Sequence, residues 1–330
     1  MKKRFFALII FVLTWLIAET LLRLLGFSPE PRNIPPKITS IPSPLFQYDS
    51  VCGYSHRPGH FVVTLNGALS YTLSIDANLS RNIPLPVPEN LPRIALYGCS
   101  FWAGMGVNDT EVLSYYLQKM TDSFQIVNFA VPGHGMTSEL LLLNHQIRNH
   151  TAPKIAVFSL ASFHLNRNPA AYSHVKNFRK VPNMPAWWFP RAYFNNRQEL
   201  CAKLIPVPTT LHPGANYSVV LNAIYRVIDD CEYSKEYLSD LQHSLIDSTA
   251  SICRKHGIFP LFVLITRDEP SEKMFAHCLK NNYPIIRSNV NYKDSLLHLY
   301  PHDGHPNALA HKKYAEEIYR FLHNTYLIGK

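Results

Sequence analysis

Ser100 and, near the far end of the chain, the pair Asp303 and His305 are of the types that together carry out acyl transfer. Ser100 stands in Tyr97-Gly98-Cys99-Ser100-Phe101, and the pair stands in Asp303-Gly304-His305. A serine hydroxyl attacks a carbonyl only when a nearby base takes its proton. His is the usual base, and an Asp beside it fixes its tautomer and stabilises its charged form. Two neighbours compete for these roles. Cys99 is a second candidate nucleophile, because a thiol attacks readily; Ser100 is the preferred one, with Cys99 read as packing at a strand end. His302 is as titratable as His305 and lies three positions before it.

Elements must bring these residues together. The apolar run Arg93-Ile94-Ala95-Leu96-Tyr97 reads as a buried strand, so Ser100 falls just past a strand's carboxyl end. Open α/β sheets bind their ligands at that place. Further strand-like runs are Gln125–Val131, Lys154–Leu160, Phe259–Thr266 and a short one at Ile285-Ile286. Helical patterns lie between or after them at Thr110–Met120, Ser138–Asn149, Lys235–His256 and Ala308–Leu322. Strands alternating with helices imply a mostly parallel sheet covered on both faces, a three-layer α/β/α sandwich of five strands. Ahead of it, His60–Leu65 and Ser70–Ile75 alternate in polarity around Asn66-Gly67, a hairpin turn, and residues 47–92 read as a small β subdomain. Residues 166–215 break the rhythm, with many prolines and aromatics such as Pro185-Ala186-Trp187-Trp188-Phe189-Pro190. So long an insertion is either a lid over the site or a packed surface excursion.

Composition narrows the class. The chain has 330 residues, 47% hydrophobic and 17% charged, enough to bury a large core. The net charge of +9 is scattered and forms no basic stripe with interleaved aromatics, which argues against nucleic acid as a partner. An anionic substrate or a membrane surface accounts for it equally well. Lys2-Lys3-Arg4 precedes an apolar run from Phe5 to Ala18, which Glu19 and Arg23 interrupt before it fades at Gly26. Residues 1–26 read first as an uncleaved signal anchor, with a cleaved signal peptide or a buried N-terminal helix as alternatives. The leading charges keep the N-terminus cytoplasmic and send the remainder across the membrane. Residues 27–46, rich in proline, read as a linker to the domain at 47–330. Of the six cysteines, Cys201 and Cys231 are the pair expected to form a disulfide, with free buried thiols as the alternative. No cysteine or histidine spacing matches a standard zinc site, and His302, His305 and His311 have Asp303 as their one nearby carboxylate, so no metal or cofactor is expected.

At these residues the chain resembles the SGNH (GDSL-like) hydrolases, in particular membrane-anchored and acyltransferase-like members, over residues 47–325. The resemblance runs through four blocks. Gly98-Cys99-Ser100-Phe101 matches the nucleophile block, with Cys99 where Asp is usual, and implies that the Ser100 N–H helps hold the oxyanion. Asn128-Phe129-Ala130-Val131-Pro132-Gly133 resembles the second block, and implies that the Gly133 N–H is another donor. The third block usually offers an Asn side chain. Here Ala161-Ser162-Phe163-His164-Leu165-Asn166-Arg167-Asn168 has no clean match, leaving His164 or Asn168 as substitutes. His302-Asp303-Gly304-His305-Pro306-Asn307 matches the fourth, with Asp303 and His305 completing the triad. The resemblance implies a flavodoxin-like fold and a serine esterase, without cofactor, acting on short acyl esters of a carbohydrate or lipid outside the cytoplasm. An O-acyltransferase on an envelope glycan uses the same groups, and a non-catalytic binding module of the same fold is the third possibility. Asn-x-Ser/Thr positions such as Asn78-Leu79-Ser80 matter only in a host that glycosylates proteins.

Overall fold

The computed structural model describes residues 2–328 except 32–34, 89, 182, 184–187, 208–211 and 326. Parts of the proline-rich stretch 27–46, of the insertion 166–215 and of the run Pro185–Pro190 therefore lie outside the described residues. In chain order the elements are α1 (Lys2–Leu24), β1 (Ile38–Ile41), β2 (Phe46–Asp49), β3 (Gly53–His56), β4 (Gly59–Leu65) and β5 (Leu69–Ile75). Then come β6 (Arg93–Tyr97), α2 (Ser100–Ala103), α3 (Leu113–Gln118), β7 (Gln125–Asn128), α4 (Met136–Arg148) and β8 (Ile155–Leu160). The insertion holds α5 (Tyr172–Val175), β9 (Trp188–Phe194) and β10 (Leu200–Pro206). The chain closes with α6 (Val219–Asp230), α7 (Lys235–Lys255), β11 (Phe259–Leu264), α8 (Glu269–Lys280), β12 (Ile285–Arg287) and α9 (Ala308–Asn324).

The central sheet runs β7-β6-β8-β11-β12, and every neighbouring pair is parallel. This is the flavodoxin-like order. The chain steps from β6 to β7 on one side and returns to β8 on the other, so the crevice opens at the carboxyl ends of β6, β7 and β8. Alternate strand residues feed two cores, as the period-2 pleat requires. Ile94 and Leu96 face α3 and α9 with Trp102, Leu113, Tyr314 and Ile318. Ala95 and Tyr97 face the other side, with Leu140 of α4 and Leu241, Leu245 and Ile246 of α7. The three-layer sandwich and five-stranded parallel sheet are thus as the sequence pattern implies.

Three regions depart from expectation. The segment 27–46 is not a free linker throughout, because β1 adds to β4 and β5 as a third antiparallel strand, with Ile38 opposite Leu65. Its apolar side joins Tyr54, Phe61, Leu73, Phe178 and Phe189 in a third core. The insertion divides in two. Its second half is an antiparallel ribbon, β9 with β10, whose Ala192 and Phe189 are buried in the cores, so this half is packed structure. Its first half, Tyr172–Val181, lines the cleft described below. Cys201 and Cys231 do not pair; all six cysteines are free. Cys201 sits within the ribbon opposite Tyr193, while Cys231 is exposed at the end of α6.

Among the described residues α1 is the one helix long and apolar enough to cross a membrane. None of its residues is buried, which removes the buried-helix alternative. Its end is nevertheless attached to the domain. The Glu19 carboxylate accepts hydrogen bonds from Ser218 Oγ at 2.8 Å, Val219 N at 2.9 Å and Val220 N at 3.1 Å. Those amides open α6 and have no intrahelical partner. Arg23 donates to the Tyr217 carbonyl and to Glu19. The two charges that break the apolar run are therefore the residues that bind the domain.

Candidate active site

The base loop is held by the helix that follows it. Asn307 caps α9 by accepting from Ala310 N, and its amide donates to the Leu296 and His298 carbonyls. His305 lies two residues before this cap, so the cap fixes where its ring emerges. Its Nε2 is 2.9 Å from Ser100 Oγ, and its Nδ1 is hydrogen-bonded to Asp303 Oδ1. The His305 N–H donates to the same carboxylate oxygen at 2.9 Å. The second oxygen accepts from Asn66 Nδ2 at 3.0 Å and lies 3.7 Å from Lys37 Nζ. Asn66 has φ +52° at the tip of the β4–β5 hairpin, a left-handed conformation that Asn tolerates. The β subdomain thereby orients the carboxylate, a role for Asn66 and Lys37 beyond the turn chemistry read from the sequence.

Charge follows from this arrangement. Burial opposes ionisation of Asp303, but the hydrogen bonds from His305 and the charge of Lys37 outweigh it and hold the carboxyl well below the usual range. Burial lowers His305 below the ordinary histidine value, against the upward pull of Asp303. The imidazole is thus neutral at neutral pH, with Nε2 aimed at the serine, as a general base must be. Burial raises the Cys99 thiol, and a protonated buried thiol is a poor nucleophile. Of the competing histidines, His302 is exposed and offers only its carbonyl to Asn66. His311 is buried, and its Nδ1 accepts from Leu113 N, tying α9 to α3.

Gly133 follows β7 and lines a cleft of 360 Å³ with Ser100, His305, Lys37 and Phe178. Its φ is +86°, and a side chain there would meet Phe178 at 2.5 Å and the Tyr54 hydroxyl at 2.6 Å, so only Gly fits. Tyr54 donates to the Pro132 carbonyl at 3.0 Å. In a trans peptide that points the Gly133 N–H away from Tyr54. Asn128 stabilises the same turn, accepting from Ala130 N and donating to Trp102 O.

Neither third-block candidate reaches the cleft. The chain after β8 enters a 3₁₀ turn, Ser162–His164, which drives His164 inward beside Phe163. Both its ring nitrogens are buried without a hydrogen-bond partner, and burial holds it neutral. Asn168 is buried with its amide committed, donating to Gln242 Oε1 at 2.7 Å and accepting from Thr137 N at 3.3 Å. The residue this loop does present is Arg167, which lines the 360 Å³ cleft and a second one of 540 Å³, both beside Ser100 and His305. It donates to His134 O at 2.8 Å, and its guanidinium lies 4.6 Å from the Phe163 ring centre. Arg167 stands inside the third block of the sequence, a charged donor where the resemblance implies an amide.

The sheet order is flavodoxin-like, and residues of the first, second and fourth blocks line one cleft while the third-block candidates do not. In fold the chain resembles the SGNH (GDSL-like) hydrolases. No family model and no curated protein matches the chain. Solved structures similar to it include the psychrotrophic esterase EstA from Pseudoalteromonas sp., at 11% identity and TM-score 0.40, over 72% of this chain and 99% of that one. Another is a member of the lipolytic protein G-D-S-L family from Veillonella parvula, at 10% identity and TM-score 0.40, over 69% and 96%. A third is the lipase/acylhydrolase from Enterococcus faecalis, at 12% identity and TM-score 0.39, over 71% and 97%.

Proposed function

We propose that the protein is a membrane-anchored serine esterase whose catalytic domain lies outside the cytoplasm and acts on short acyl esters of a carbohydrate or lipid. The observation that carries this reading is the continuous hydrogen-bonded relay from Ser100 through His305 to Asp303. His305 takes the hydroxyl proton as Ser100 Oγ attacks the carbonyl carbon, and later gives it to the leaving alkoxide. Asp303 stabilises the imidazolium that forms between those steps. The N–H groups of Ser100 and Gly133 receive the oxyanion, and Arg167 takes the place of the third-block amide as a charged donor. A charged donor in a water-poor cleft is well suited to developing negative charge. After loss of the alcohol, water attacks the acyl-enzyme by the same route. The anchor is α1, and the positive-inside rule sets its direction.

Transfer to an acceptor hydroxyl is the second reading, and one feature favours it. Two clefts meet at Ser100, one walled by Gly133 and Phe178, the other by Tyr292 and Gly304. One would hold the acyl donor while the other admits an acceptor. Hydrolysis of p-nitrophenyl acetate by the full-length protein in detergent tests the esterase reading. Ser100→Ala should lower kcat on the order of 10⁶-fold. A Ser100→Ala variant that retains the wild-type rate would refute it. Added sugar alcohols that divert the acetyl group from water would favour transfer.

A further inference from the structure

Helix α6 is amphipathic in the inverted sense. Two of its polar side chains are inside: Asn222 is buried and donates to the Ser28 carbonyl, and Asp229 is buried between Lys176 and His212. Val219, at its start, is buried, but a stripe of its apolar side chains is outside. Ile224, Val227 and Ile228 are 44%, 62% and 55% exposed, and Tyr217 just before the helix is 69% exposed. Positions 217, 220, 224, 227 and 228 follow the three- and four-residue spacing of one helical face. Asp230, also exposed, lies to one side of that face, and exposed Arg226 lies on the opposite side of the helix.

The place of this face in the molecule says what covers it. Helix α6 packs against α1, and its first amides are bound by Glu19, directly after the apolar run Phe5–Ala18. If that run occupies the hydrocarbon, Glu19 marks the boundary of the bilayer, and α6 starts at that boundary. We propose that α6 lies in the membrane interface, its Tyr217, Ile224, Val227 and Ile228 face immersed among headgroups and upper acyl chains. Interfacial helices of this kind bury the apolar face ~5–10 Å into that boundary. This rests on the reading of α1 as an anchor. The face continues a surface already in contact with lipid, so a bilayer is its occupant in preference to a separate protein.

The arrangement also reaches the catalytic cleft. Lys176 pairs with Asp229 of α6 at 2.8 Å, and Glu232 just beyond α6 accepts from Tyr172 N at 2.7 Å. The segment held by these bonds carries His174, Asn177 and Phe178 into the cleft wall. One wall of the active site is thereby fastened to the membrane-lying helix, which favours an acyl ester presented at the membrane surface.

The test places nitroxide labels on the full-length protein in phosphatidylcholine–phosphatidylglycerol vesicles, in a background carrying Cys201→Ser and Cys231→Ser. Labels go at Leu13→Cys, Ile224→Cys, Val227→Cys and Arg226→Cys. Collision with oxygen, which partitions into lipid, is compared with collision with an aqueous nickel chelate. Labels at 13, 224 and 227 should favour oxygen, with 13 deepest, and the label at 226 should be shallower than 224. A label at 13 in lipid with 224 and 227 favouring the chelate would overturn the proposal and leave the anchor standing. Labels at 224 and 227 shielded from both reagents would show a protein cover, a second copy or another partner, and would also overturn it. A label at 13 that favours the chelate would remove the anchor and the proposal together.

Discussion

Two arginines stand within reach of the active site and are used in opposite ways. Arg81 is buried, and all five of its N–H groups are engaged: Asp109 at 3.0 Å, and the carbonyls of Ala103, Gly104, Thr72 and Val107. It holds the loop that leaves α2 and so fixes where the helix that carries Ser100 ends. Arg167 makes one backbone bond, to His134, and a side-chain bond to the buried Cys99 thiol, and it lines both clefts. A guanidinium whose donors are saturated by carbonyls has nothing to offer a substrate. One with donors remaining in a cleft does. The contrast separates scaffold from chemistry without reference to distance from Ser100.

The sharpest way to break this contrast is to remove each charge. Arg81→Met leaves Asp109 and a set of carbonyls without their donor, and should lower unfolding free energy by about 3–5 kcal/mol. Urea denaturation of the full-length protein would check this; an unchanged midpoint would make Arg81 dispensable and end the comparison. Arg167→Met should instead lower kcat for p-nitrophenyl acetate by ~100-fold or more while the denaturation midpoint holds. Loss of stability without loss of turnover would place Arg167 with the scaffold. Tyr54 lies between the two cases, since it touches no reacting atom but orients the Gly133 peptide. Tyr54→Phe should cost about 1 kcal/mol of transition-state stabilisation, roughly fivefold in kcat, with KM little changed. A KM effect alone would mean that it shapes the cleft and nothing more.

The pH dependence sharpens the same account. Burial lowers His305 below its ordinary value, so the active, neutral imidazole is full at pH 7 and lost only as the pH falls through that lowered value. The acid limb of kcat/KM should therefore lie below the ordinary histidine pKa of about 6.5. The Arg167 charge contributes to that lowering, so Arg167→Met should move the limb upward. A limb that stays in place would mean the guanidinium does not act on the base.

The parts of the site legible in the sequence are those held by local pattern. Ser100 and Gly133 follow strands whose apolar runs are visible, and Asp303 and His305 share one loop ahead of a helix with its own Asn cap. The third block failed for a local reason of another kind. A 3₁₀ turn sets the phase of the residues after β8, and that phase turned His164 and Asn168 inward and Arg167 outward; residue types do not carry it. Strand β1 was hidden because its partner β4 lies far along the chain, and the prolines around Ile38–Ile41 read as a linker. Helix α6 was legible in its apolar stripe and its Ser218 cap, but it follows the insertion and stands outside the strand–helix alternation that located α3, α4, α7 and α9. The Cys201–Cys231 disulfide failed because pairing depends on distance in the fold.

The central claim is that His305 activates Ser100 for attack. Its most direct test is labelling of the full-length protein with a serine-reactive fluorophosphonate, alongside Ser100→Ala, His305→Ala and Cys99→Ala. Labelling in the wild type and in Cys99→Ala, lost in Ser100→Ala and His305→Ala, is the predicted result. Labelling that persists in Ser100→Ala, or a folded wild type that takes no label, would contradict it.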